Sequence, residues 1–200
     1  MSFFLQTLSE ISKAFVLFIK GDEKGNEYIQ ISEAHWLLSW LMVFAGSLIY
    51  LMYLPSAFMS IITQEKLPKD ATYSDFKSAS IISLLFILFA GYFIIYLLDK
   101  PLEYMGSVRR YIITQNWAFL VSIVVLLPFS LSLISENSPL ISLVIFIFLF
   151  ILFFAYRALK ITLGVNGPKA FMLLLLLLIF ELFMDEMIND WFGLVKLTQT

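Results

Sequence analysis

The sequence predicts an all-α membrane protein, a bundle of five transmembrane helices preceded by an amphipathic helix at the membrane surface. Three observations predict it. Apolar residues make up 60% of the 200-residue chain and charged residues 14%, with a mean hydropathy of +0.90, whereas soluble domains run near half apolar and a quarter charged. Five stretches carry the roughly 20 mostly apolar residues that a helix needs to cross a hydrocarbon core about 30 Å thick. Helix-breaking or charged clusters separate the stretches.

The first 20 residues lack the basic start and the uninterrupted apolar run of a signal peptide, because Glu10 and Lys13 fall inside the apolar region. Phe4, Leu8, Ile11, Phe15 and Phe18 recur at intervals of four and three, with Ser2, Gln6, Ser9, Glu10, Lys13 and Lys20 on the other face. This is the pattern of a helix lying at the headgroup level with its phenylalanines in the acyl boundary. The same face would serve equally to pack on the bundle. The polar, glycine-bearing stretch from Gly21 to Tyr28 then reads as a solvated connection, so residues 1–33 form a cytoplasmic helix and linker and residues 34–200 the membrane domain.

The expected spans cover residues 36–59, 79–98, 112–134, 139–156 and 168–187. Pro68 with Lys69 and Asp70 closes the first, and Asp99, Lys100 and Pro101 the second. Glu136, Asn137 and Pro139 separate the third from the fourth, and Gly164, Asn166, Gly167 and Pro168 precede the fifth. Orientation follows from where Lys and Arg fall, because short basic loops stay in the cytoplasm. Lys13, Lys20, Lys24, Lys100, Arg109, Arg110, Arg157, Lys160 and Lys169 share one side, against Lys66, Lys69, Lys77 and Lys196 on the other. The N-terminus is therefore expected inside and the C-terminus outside. His35 and Trp36, at the start of the first span, read as interfacial anchors.

Composition also narrows function. The 13 basic and 15 acidic residues give no excess of positive charge for a nucleic-acid backbone. The absence of Cys removes thiolate metal sites, and a single His removes multi-His ones. No glycine-rich phosphate loop, HExxH motif or ladder of arginines is present. Neither a cofactor nor a metal is expected, and with no nucleophile-base pair in view the chain does not read as an enzyme.

Polar groups at membrane depth mark the places to look for function. Gln115 and Asn116 sit one turn into the third span, and His35, Ser39, Tyr92, Tyr96 and Asp99 should lie in the same leaflet. They could contact a substrate or ion, or simply glue helices together. Glu181 lies about 20 Å along the fifth helix, with Asp185 one turn further, and two carboxyls so spaced could share a proton or bind a cation. Alternatively, Glu181, Asp185, Glu186, Asn189 and Asp190 form the wet face of an amphipathic tail opposite Met184, Met187, Ile188, Trp191 and Val195. Asn116 is about 7 Å from the cytoplasmic end of its helix, so it and Glu181 are expected more than about 10 Å apart along the membrane normal and out of contact. Pro55 and Pro128 open gaps in backbone pairing, and Gly46 and Gly91 offer small surfaces for close helix contact.

Five spans, a cytoplasmic amphipathic N-terminus and an almost absent outer tail resemble the layout of the Yip family of small polytopic membrane proteins and of bacterial inner-membrane proteins grouped with it. Trp36 at the start of the first span and the stretch YIITQNWAFL, Tyr111 to Leu120, with Asn116 and Trp117, carry the resemblance. It implies a bacterial inner membrane and a role in membrane organisation or partner scaffolding. The family's recruitment of small GTPases is not expected, because the cytoplasmic region is short. A non-enzymatic scaffold is thus the first expectation, its partners the bilayer and either other proteins or a second copy of the chain. A small permease or ion- or proton-coupled carrier using Gln115, Asn116, Glu181 and Asp185 is the alternative.

Overall fold

The computed structural model describes residues 2–63, 67–68, 70–104, 106–130 and 140–194, all of them helical or in connections between helices. α1 (Phe3–Lys20) starts where the Ser2 hydroxyl accepts from the Leu5 amide, and stops at Gly21, whose positive φ of 78° lets the chain reverse. A 3-10 turn (Glu23–Tyr28) follows. α2 (Glu33–Thr63) runs through Pro55, and α3 (Tyr73–Leu97) opens with a reciprocal cap between Thr72 and Asp75. A single turn, α4 (Asp99–Leu102), leads to α5 (Val108–Ser130), α6 (Leu140–Leu163) and α7 (Gly167–Trp191). The Asn166 side chain caps α7 and Pro168 occupies its first turn.

Three helical segments are long and apolar enough to cross a bilayer: Glu33–Met59, Tyr73–Leu97 and Ser142–Leu163. α5, which carries Arg109, Arg110, Gln115 and Asn116, and α7, which carries Lys169, Glu181, Asp185 and Glu186, are not among these three, so the described residues show three of the five expected spans. Residues 131–134 of the expected third span and Pro139 of the fourth lie outside the described residues, as do Lys66, Lys69, Glu136, Asn137, Val195 and Lys196.

The long helices form a ring in the order α2, α5, α6, α7, α3 and back to α2, with α1 laid against α6. The outward faces are apolar. On α2 the exposed Leu37, Leu41, Phe44, Leu48 and Met52 recur every three or four residues, and Phe86, Phe89 and Phe93 continue the surface on α3. So continuous an apolar exterior on a water-exposed protein would drive aggregation, whereas lipid matches it.

Gly46 permits a close approach of α2 to α5. A Cβ at this position would lie 2.9 Å from the Phe119 ring and 3.5 Å from the Leu120 Cα, so even Ala requires the ring to shift and a bulky side chain would press on α5. Gly106, just before α5, permits another close approach. A Cβ there would run into the Thr162 carbonyl, and its absence allows the amides of Gly106 and Ser107 to donate to Leu163 and Thr162 at 2.8 and 2.9 Å. The start of α5 is thereby locked to the end of α6.

α1 packs on the bundle rather than lying free beside it. Thr7, Ile11, Ala14 and Phe18 are buried, and Ile11, Ala14 and Phe18 share one apolar core with Ile113 and Trp117 of α5 and Phe154, Ala158 and Ile161 of α6. The five expected interfacial residues therefore divide. Ile11 and Phe18 are buried, Phe15 is half-buried against Phe154, and Phe4 and Leu8 are exposed. The segment expected to be a solvated connection is instead a 3-10 turn held to α6, where the Asn26 side chain donates to the Ile161 carbonyl at 2.8 Å and Gly25 and Ile29 are buried. Its charged residues Glu23, Lys24 and Glu27 face outward, which is why the stretch looks solvated from composition alone.

Candidate functional site

α5 organises the interior. Gln115 and Asn116 are adjacent, so their side chains leave the helix about 100° apart. Asn116 is fully buried and turned toward α2 and α3: it accepts from the Tyr92 hydroxyl at 2.5 Å and donates to the Ser39 hydroxyl at 3.0 Å, which in turn donates to the Trp36 carbonyl at 2.8 Å. Each of these groups has a partner, and together they tie three helices at one level. The structure thus joins Asn116 to Ser39 and Tyr92, while Tyr96 is 68% exposed and takes no part.

Gln115 faces the other way, into a cavity of about 430 Å³ bounded by α3, α5, α6 and α7 and closed on one side by Phe15 and Ile19 of α1. Its polar groups are Gln115, Tyr92, Tyr111, Ser122 and Glu181, and the rest of the lining is apolar or aromatic. Glu181 faces this space with no ion pair or hydrogen bond among the described residues, and neither Lys, Arg nor His lines it.

No contact joins Asn116 to Glu181 among the described residues, but the cavity is lined by both Gln115 and Glu181. At the start of α7 the Lys169 ammonium donates to the Leu102 carbonyl at 2.9 Å, in the connection that leads to α5. The cavity also runs along α5 from Tyr111 to Ser122, about 16 Å, and so reaches Gln115 and Glu181 together. Asn116 remains outside it and is linked to it through Tyr92.

Glu181 and Asp185 do not act as a pair. Asp185 is exposed and accepts from the Ser83 hydroxyl of α3 at 2.9 Å and from the Asn189 side chain at 3.1 Å. The expected wet face accordingly splits: Glu181 belongs to the cavity, whereas Asp185, Glu186 and Asp190 are exposed. On the opposite face Met184 and Ile188 are buried, but Trp191 is 82% exposed.

His35, expected at the interface as an anchor, is buried where α1 meets α2. Its Nδ1 lies 2.6 Å from the Ser32 hydroxyl, and its Nε2 lies 3.4 Å from the Thr7 hydroxyl and 3.9 Å from Glu10. Phe3 packs edge-on against the ring. Trp36 is half-buried beneath the Arg109 guanidinium, which also meets Glu33 at 2.7 Å. Thr7 and Tyr111 are residues that hydropathy passes over. The four-three-four spacing of Thr7, Ile11, Ala14 and Phe18 was the one signal for the former. Outside the membrane segments, the Tyr104 hydroxyl is buried without a partner, and burial, reinforced by the Asp99 charge, pushes it up to about 12.

Compared with known proteins, the chain matches no family model, no curated protein and no solved structure. Function must therefore be argued from the site.

Proposed function

We propose that the chain is an integral membrane protein of a bacterial inner membrane that crosses it five times, N-terminus in the cytoplasm and C-terminus outside, and carries a small molecule through the cavity at Glu181. Support for five crossings comes from α5 and α7 lying in the same ring as the three apolar helices. At 23 and 25 residues they are about 34 and 37 Å long, enough for the hydrocarbon core. The unequal distribution of Lys and Arg supports the orientation.

The observation that carries the functional reading is the cavity itself, in which a carboxyl without a partner faces a largely apolar space of ligand size. Labelling tests it. A lipid-soluble carbodiimide should modify Glu181 in membranes while a membrane-impermeant one spares it; ready labelling by the impermeant reagent would put Glu181 in bulk water and end the carrier reading.

A second reading is the Yip-type scaffold, favoured by one feature of α1. Its buried face is clamped to the bundle, yet Phe3, Phe4, Leu5 and Leu8 remain exposed on the same helix, available to lipid, another protein or a second copy. Under this reading, replacing Phe4 and Leu8 with Ser lowers cross-linking of the chain to itself or to neighbours, and Glu181→Gln leaves those contacts intact.

A further inference from the structure

A carboxyl group surrounded by apolar side chains must either keep a proton or find a cation, because an unpaired negative charge out of water costs several kcal/mol. Glu181 has no basic side chain among the cavity lining, and the other polar lining groups, Tyr92, Tyr111, Gln115 and Ser122, provide no positive charge. The other boundary groups are suited to a cation of a particular kind. Phe15, Phe119, Phe150 and Phe154, with the two tyrosines, surround the space with aromatic rings, whose faces attract a desolvated positive charge.

A metal ion fits poorly, since Mg²⁺ and Ca²⁺ require several oxygen ligands and Asp185, the nearest second carboxyl along α7, is engaged with Ser83. An anion would meet Glu181 with nothing to neutralise it. An uncharged apolar molecule would fill the volume but leave the carboxyl unmatched.

We propose that the cavity binds a monovalent amphipathic organic cation, an ammonium or similar group carried on an apolar body, with Glu181 as its counter-ion and the aromatic rings around its bulk. This rests on the carrier reading above and specifies its ligand. Size agrees: about 430 Å³ lies in the range of pockets that enclose small organic molecules. Charge complementarity decides between occupants, because the wall carries one carboxyl and no basic side chain, and its other polar groups are tyrosine hydroxyls, an amide and a serine.

The test uses the full chain in lipid nanodiscs, with protein-free discs as blanks, and three probes of similar size: tetraphenylphosphonium, tetraphenylborate and neutral triphenylphosphine oxide. The expected result is saturable binding of tetraphenylphosphonium that is at least about tenfold tighter than that of the neutral probe. In Glu181→Gln this preference should collapse while the neutral probe still binds. If the neutral probe binds and the cation binds no better, or if the borate binds best, the cation inference falls and the carrier reading survives. If no probe saturates, both fall. Should Glu181→Gln fail to fold, the wild-type protein decides: tetraphenylphosphonium must slow lipid-soluble carbodiimide labelling at Glu181 at least about fivefold, and unchanged labelling would overturn the inference.

Discussion

Asn116 and Glu181 are both polar side chains within the helix ring, and their surroundings differ in kind. Asn116 has its donor and acceptor matched by Ser39 and Tyr92, from two other helices, with no room left over. Glu181 faces a cavity and has no hydrogen-bonding partner among the described residues. A matched polar group contributes to architecture, since its removal strands the groups it satisfied. An unmatched one adds little to the fold and is free to meet something that arrives. The difference separates a structural site from a binding site without appeal to a motif.

Breaking the matched site should have the largest effects. Gly46 lies two turns along α2 from Ser39 and permits the close approach to α5. Gly46→Leu must displace Phe119 and the α5 backbone, so it is expected to lower stability by about 3 kcal/mol and to pull Ser39 from Asn116. Unfolding by denaturant in detergent micelles would measure it. Asn116→Leu strands the Tyr92 hydroxyl and removes the donor to Ser39 while keeping a similar volume, and should cost about 1–3 kcal/mol in the same assay.

Smaller effects sharpen the comparison at the membrane surface. Thr7→Val removes the hydroxyl facing His35 with little change of shape, so a loss of about 1 kcal/mol is expected, concentrated in α1 and visible as faster amide exchange at residues 7–18. Tyr104, like Glu181, is unmatched, but it lies outside the membrane. Its hydroxyl keeps its proton in the folded chain up to about 12, whereas the unfolded chain releases it from the ordinary 10.0. Stability is therefore unaffected below pH 10 and falls as the pH rises from 10 toward 12. Tyr104→Phe should flatten that alkaline decline, and an unchanged pH profile would contradict it.

Much of the helical layout is legible in the sequence because apolar runs and helix-end residues are local properties. The Thr72 and Asn166 caps and the Pro168 start of α7 follow from a few adjacent residues. Tertiary choices are less legible. Spacing identifies an amphipathic α1, but whether Ile11 and Phe18 face lipid or protein depends on Ile113, Phe154 and Ala158, which are far away in the chain. Similarly, Gln115 and Asn116 can be singled out as polar residues in an apolar span, while their opposite fates depend on the helices to either side. The cavity was hidden because four helices wall it, and their packing is set by contacts between distant residues such as Lys169 with Leu102 and Gly106 with Leu163.

The most direct measurement is the unfolding free energy of Glu181→Gln beside that of Asn116→Leu, both in the same micelles without added ligand. If Glu181 is held for a ligand rather than for the fold, its amide variant should equal or slightly exceed the wild type while Asn116→Leu falls well below it. A loss in Glu181→Gln as large as that in Asn116→Leu would contradict this account, because it would mean that the carboxyl is a structural group after all.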